Sequence, residues 1–166
     1  MGKAVLLILL LVLAIGLSGC VEPQTVEDCL SRRDTAIRDY CFEKLAHTKK
    51  DITICENIGD QRYLATCYGP FVKTKEDLVY CDRLTDEFEN SRCYGAVAIR
   101  TRDIQICELI EADISRETCY MELGKRTQDL SLCEKIEDLP LKSRCIEHVN
   151  IFKGYSEQQL KEVYGE

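Results

Sequence analysis

From residue 51 onward, apolar residues return to the same places every 26 positions. Ile52, Leu78, Ile104 and Leu130 each follow an aspartate; Ile54, Tyr80, Ile106 and Leu132 come two residues later, and Ile58, Leu84, Ile110 and Ile136 four beyond those. Apolar groups at this spacing line one face of a helix, and the run is long enough for about two turns. The aspartates Asp51, Asp77, Asp103 and Asp129 stand at the N-cap, where a carboxylate accepts a backbone N–H that has no partner inside the helix. Thr25 holds that place in an earlier, fainter period. Gly59-Asp60, Thr85-Asp86 and Glu137-Asp138-Leu139-Pro140 then break the pattern, and each break supplies an aspartate to cap the next helix. A second, longer stripe carries Tyr68 and Phe71, Tyr94 and Val97, Tyr120 and Leu123, and Ile146 and Val149. Lys73, Lys75, Arg100, Arg102, Lys125 and Arg126 gather at its end, where positive charge complements the helix dipole. The pattern predicts five helical hairpins over 25–50, 51–76, 77–102, 103–128 and 129–154.

Ten of the eleven cysteines keep the same time: Cys29, Cys41, Cys55, Cys67, Cys81, Cys93, Cys107, Cys119, Cys133 and Cys145, alternately twelve and fourteen residues apart. Fixed-period self-similarity marks a stacked repeat protein, whose units bury their apolar sides against one another. Isolated helices shorter than about 12–15 residues are marginal in water, so each hairpin needs a staple. Twelve-apart pairing within a hairpin uses all ten cysteines, whereas fourteen-apart pairing between hairpins strands Cys29 and Cys145. The first pairing is favoured. In the chain-entropy estimate each such bridge contributes about 3 kcal/mol. The expected fold is therefore all-α, a disulfide-stapled αα solenoid of five repeats with a closing helix.

The ends read as solenoid caps. In the first unit Asp28 and Arg32 occupy places that are apolar in most later units, giving a polar outer face. Residues 155–166 read as a capping helix: Ser156 and Gln159 form a capping box, and Tyr155 can pack on Leu160. Leu160, Val163 and Tyr164 are expected to cover the open side of the fifth repeat.

Ahead of the repeats lie Lys3, an apolar run over 4–15 and the tetrapeptide Leu17-Ser18-Gly19-Cys20. A positive start, a short apolar stretch and small residues form an export signal. The run is shorter than the roughly 20 apolar residues of a membrane-spanning helix. The tetrapeptide resembles the lipobox of prokaryotic lipoproteins. That resemblance implies a signal peptide over 1–19, cleavage before Cys20, lipid on the Cys20 sulfur, and a short tether over 20–24. It also accounts for the one cysteine outside the 26-residue rhythm. In architecture alone, the stapled hairpins resemble the Sel1-like cysteine-rich proteins of Helicobacter, whose period and cysteine spacing differ; the resemblance implies a secreted stapled solenoid and no particular site.

Residues 20–166 carry 21 basic and 29 acidic side chains, a net charge of −8. Nucleic acid is excluded as a main partner, because it needs a basic face. Structural zinc and cluster sites use closely spaced cysteine pairs, which are absent here, and a redox Cys-x-x-Cys is absent too. No nucleophile elbow, phosphate-binding glycine loop or His-Glu-x-x-His motif occurs. His47 and His148 occupy non-equivalent places and read as surface residues. The acids Glu56, Asp82, Glu108 and Glu134 follow the first cysteines as a ladder; repeats stacked about 8–10 Å apart are too far apart for one calcium ion to be chelated along it, so the ladder reads as a solvated face. Tyr68, Tyr94 and Tyr120 read chiefly as core between repeats, with an aromatic binding stripe as the alternative. No cofactor, metal or enzymatic activity is expected. The expected function is that of a non-catalytic, lipid-anchored cell-envelope protein offering its surface to a protein or peptide. The rivals are a structural spacer and, behind it, an enzyme or metal carrier built from scattered polar residues.

Overall fold

A computed structural model describes residues 25–164; the export segment, Cys20 and the tether lie outside the described residues. Those residues form ten α-helices and two 3₁₀ helices and contain no strand. The order is α1 (Val26–Leu30), α2 (Thr35–Lys49), a 3₁₀ helix (Ile52–Asn57), α3 (Gln61–Tyr68), a second 3₁₀ helix (Lys75–Asp77), α4 (Leu78–Cys81), α5 (Glu87–Thr101), α6 (Ile104–Cys107), α7 (Asp113–Thr127), α8 (Ser131–Glu134), α9 (Leu139–Phe152) and α10 (Glu157–Tyr164). Each repeat is a short element followed by a longer helix. The pairing is the twelve-apart one throughout: Cys29–Cys41, Cys55–Cys67, Cys81–Cys93, Cys107–Cys119 and Cys133–Cys145. Their Cα atoms stand 5.4 to 5.8 Å apart, the ordinary disulfide range.

The short α-helices of repeats three to five, four residues each, are shorter than the two turns expected, and repeat two has a six-residue 3₁₀ helix in their place. From repeat two onward each stops at or just past its cysteine, and the second apolar residue falls beyond the helix: Ile58 is extended, with φ −86° and ψ 127°. Ile58, Leu84, Ile110 and Ile136 are buried all the same. An extended residue here turns the chain so that the next aspartate can cap the long helix. Asp34, Asp60, Asp86 and Asp138 do so, each accepting an N–H in the first turn of its helix. Repeat four has Ala112 at this place and no side-chain cap.

Three of the long helices end on a left-handed residue: Lys50, Arg102 and Gln128 have φ of 56°, 57° and 57°. α9 ends instead on extended Lys153, and the positive φ of 92° falls on Gly154 after it. Reversing the chain at the three left-handed residues lets the next amide bond back five residues, from Asp51 to Ala46, Asp103 to Ala98 and Asp129 to Gly124. The same aspartates accept from Thr53, Gln105 and Ser131 two residues ahead. They thus join the end of one hairpin to the start of the next.

Repeat two departs, and Asp77 with it. Pro70 has no N–H to continue α3 and disfavours helix in the residue before it, so α3 ends at Tyr68. The chain then turns through bonds from Phe71 and Val72 to the Tyr68 carbonyl. Asp77 does not cap α4; its carboxylate reaches back to the amides of Lys73 and Thr74, both at 2.9 Å.

The core runs along the row. Phe42, Tyr68 and Tyr120 sit beside the second cysteines, Leu45, Val97, Leu123 and Val149 lie one turn on, and all are buried. At the start, Thr25 and Asp28 make a reciprocal capping box, and Asp28 and Arg32 are exposed as a polar end requires. At the other end Ser156 and Gln159 form the expected box, and Gln128 holds the approach to α10 through Gly154 and the Tyr155 carbonyl. Tyr155 lies edge-on to Phe152 at 5.5 Å. Val163 is exposed rather than packed on repeat five; the side chains of Leu160 and Tyr164 lie outside the described residues. Among the described residues, no helix is long and apolar enough to cross a membrane.

Candidate functional site

Each sequence candidate has a definite place. Tyr68 and Tyr120 are buried between repeats and Tyr94 is half-buried. The Tyr94 hydroxyl donates to Asp82, and that of Tyr120 donates to Glu108 at 2.7 Å. Each bond spans the same twelve residues as its disulfide and runs beside it. Burial, and then the adjacent carboxylate, pushes both phenols up to about 12. Burial raises Tyr68 as well. The core reading of the ladder therefore describes Tyr68 and Tyr120, whose rings offer no open stripe.

The acid ladder is exposed, as expected, and it also bridges repeats. Glu56 pairs with Arg83 and Glu108 with Lys135, in each case the basic residue 27 positions on. The Tyr120 hydroxyl and then the Lys135 ammonium hold the Glu108 carboxyl below its ordinary range. The position equivalent to Lys135 and 27 residues beyond Asp82 is Leu109, so Asp82 has Tyr94 and, among the described residues, no base. The histidines are less exposed than expected. Both are half-buried, and His47 Nε2 lies 3.0 Å from the Cys67 carbonyl oxygen, tying repeat one to repeat two.

A second tie was not visible in the sequence. In three of the four junctions a long helix lends one side chain to the bend of the next repeat. Buried Asp39 accepts from the amides of Gly59 and Asp60 at 3.2 and 2.9 Å. Gln61 accepts from Thr85 and Asp86, and Glu117 from Glu137 and Asp138. Ser91 holds the Asp39 position in repeat three, and no side chain among the described residues makes this clasp to residues 111 and 112.

That unclasped junction is also where the surface opens. A groove of about 490 Å³ runs between α5 and α7, floored by Gly95, Ala96 and Thr118 and flanked by Ile99. At its mouth stand Phe88 and Ile114, 26 residues apart and so at equivalent repeat positions, 66% and 61% exposed. Burying a Phe or Ile side chain completely stabilises by roughly 1.5–3 kcal/mol, and most of that is forgone here. Arg92 and Glu122, the charged residues lining the groove, are neutralised at 2.5 Å by Glu89 and Lys125. A second groove of about 350 Å³ lies on the other side of α5, against α3, and shares the lining residues Arg92 and Ala96 with the first. Among the described residues, no group of three His, Cys, Asp or Glu side chains is placed to hold a metal ion.

Comparison with known proteins yields no relative: no family model, curated protein or solved structure matches the chain. The arrangement speaks through its chemistry alone. It presents an apolar strip between long helices, each of them joined to its own short partner by a disulfide. Sequence reasoning missed this strip because its residues are ordinary singly; the one signal available was that Phe88 and Ile114 form a 26-residue pair outside the buried stripe of the long helices.

Proposed function

We propose that this chain is an exported, lipid-anchored protein of the cell envelope that binds a protein or peptide partner in the groove between its long helices α5 and α7. The apolar groove at the junction of repeats three and four carries this reading. Surface apolar residues gathered in one concave strip mark interaction sites, whereas scattered ones need no explanation. A repeat stack offers such a strip along its length, which is the general habit of solenoids. Five disulfides support export, since they persist in oxidising compartments and are rare in the cytosol. The Leu17-Ser18-Gly19-Cys20 tetrapeptide supports an anchor at Cys20. With only 20–24 before the first repeat, a lipid there holds the solenoid within about 16–18 Å of the membrane surface, even with five residues fully extended. No residue is assigned a catalytic role, and the net charge of −8 over 20–166 opposes nucleic acid.

Affinity capture from crosslinked native envelopes tests the reading. A partner retained by the native chain and lost from a Phe88→Ser/Ile114→Ser chain is the expected result. A structural spacer retains no reproducible partner at all, and that result overturns the proposal. The mass of native protein reports the anchor: lipid on a chain beginning at Cys20 is expected, and an unmodified Cys20 contradicts it.

A further inference from the structure

We infer that the groove between α5 and α7 receives an amphipathic helix with basic residues on its polar side, supplied by the partner whose existence the binding reading above assumes. The first support is Gly95. It lies in the middle of α5, where glycine disfavours the helix relative to alanine, and a Cβ built on it meets nothing within 4 Å. Neither packing nor backbone conformation asks for glycine there. What its absent side chain does is leave the groove floor clear. Gly124, within α7, is the opposite case: its Cβ would lie 3.2 Å from the Asp129 carbonyl oxygen, so the fold itself accounts for it.

The second support is charge. Beside the groove, meeting it at Ser91, lies a hollow of about 320 Å³ lined by Asp82, Glu87 and Glu111 with no basic side chain. Glu87 and Glu111 have no ion-pair partner among the described residues. These carboxylates are not gathered closely enough to chelate one metal ion, so they suit separate ammonium or guanidinium groups. They adjoin the apolar mouth directly: Glu87 precedes Phe88, and Glu111 lies three residues before Ile114. An occupant matching both features has an apolar face next to basic residues. A second copy of this chain does not match, because acidic rims would meet acidic rims at a net charge of −8.

The third support is shape. On α5 the lining residues run from Phe88 to Ile99, about 16 Å at 1.5 Å per residue. That is room for some three turns of a helix laid in the groove with anchors at i, i+3, i+4 and i+7.

Two synthetic 15-residue peptides test this against the full oxidised chain. Both carry leucine at i, i+3, i+4 and i+7; one has lysine on its polar face and the other glutamate. Fluorescence anisotropy is expected to show binding of the lysine peptide and none of the glutamate peptide. Gly95→Leu, which fills the groove from an open position, is expected to weaken binding at least tenfold with the circular dichroism retained and the thermal midpoint no lower. Phe88→Ser/Ile114→Ser is expected to do the same, and Glu87→Gln/Glu111→Gln to weaken binding and flatten its salt dependence. Val79→Ser, at an exposed apolar residue on α4, is expected to change nothing. No binding of the lysine peptide, equal binding of the two peptides, or full binding to the Gly95→Leu chain overturns the inference. An envelope partner captured equally by native and Gly95→Leu chains contradicts the groove assignment and leaves the binding reading standing; the absence of any partner contradicts that reading itself.

Discussion

Repeat four lacks an N-cap that its four sister repeats possess, and restoring it is a sharp test of how these hairpins are built. Ala112 has φ −66° and ψ 114°; Asp138, which caps α9 through a 2.8 Å bond to the Leu141 amide, has φ −65° and ψ 111°. The backbone is thus already shaped for an aspartate. In Ala112→Asp the new carboxylate is expected to accept the Ser115 amide, the counterpart of Ile37, Tyr63, Glu89 and Leu141 in the other repeats. Asp against Ala at an N-cap is worth about 1 kcal/mol, within a range of roughly 0.5–2, and the helix dipole adds to it. Glu111 and Asp113 on either side subtract something, though Asp113 is already paired with Arg116. A net gain of about 1 kcal/mol raises Tm by roughly 2–4 °C in a chain of this size. Repeat arrays can unfold unit by unit, so hydrogen exchange is the better assay: the first-turn amides of α7 should slow about fivefold if that turn opens locally. Asp138→Ala is the mirror control and should cost about as much in α9. If Ala112→Asp brings no protection while Asp138→Ala costs the full amount, the equivalence of the two bends is wrong and so is the reasoning.

Three further outcomes rest on particular residues. Gly95→Ala should stabilise by about 1 kcal/mol in a denaturant titration, because a methyl there meets open space in mid-helix, whereas Gly124→Ala should lack that gain or destabilise, because its methyl would lie 3.2 Å from the Asp129 carbonyl oxygen, a backbone atom. Lys50→Gly should stabilise by about 0.5–1 kcal/mol, since a left-handed φ of 56° costs an L-residue what glycine avoids. In a phenolate absorbance titration, Tyr94 and Tyr120 should ionise near pH 12 rather than about 10. Their folded pKa lies above the unfolded one, so the stability they contribute is complete below pH about 10 and is lost as pH climbs toward 12; ionisation of every tyrosine near 10 in the folded chain contradicts the Tyr94–Asp82 and Tyr120–Glu108 pairs.

Periodicity made much of the frame legible, because a stacked repeat reports each requirement several times over. The cysteine rhythm left one pairing without orphans, and the aspartates before the long helices marked their true caps at 60, 86 and 138. The short helices were overestimated for a physical reason. Apolar spacing records which residues are buried, and Ile58 or Leu84 is buried from outside a helix as well as from within one. Asp77 was misplaced because the pattern treats repeats as equal, while Gly69-Pro70 ends α3 early and gives the aspartate amides behind it to bind. The clasps were out of reach altogether: Asp39, Gln61 and Glu117 differ in type, and Gln61 does not even share the register of the other two. The groove was hidden for a related reason. It is a void between two helices, set by what Gly95 and Ala96 leave unfilled, and a pattern of side chains does not display what is missing from it.

The proposed binding surface stands on a rigid row of covalently closed hairpins, since a groove between α5 and α7 has a fixed shape only if each long helix is held to its own short partner. Disulfide mapping of native protein, by mass spectrometry after proteolysis without reductant, tests that directly. Five crosslinked peptide pairs are expected, Cys29 with Cys41, Cys55 with Cys67, Cys81 with Cys93, Cys107 with Cys119 and Cys133 with Cys145. Fourteen-apart pairs such as Cys41 with Cys55, or free thiols at these positions in the isolated protein, would contradict the stapled row.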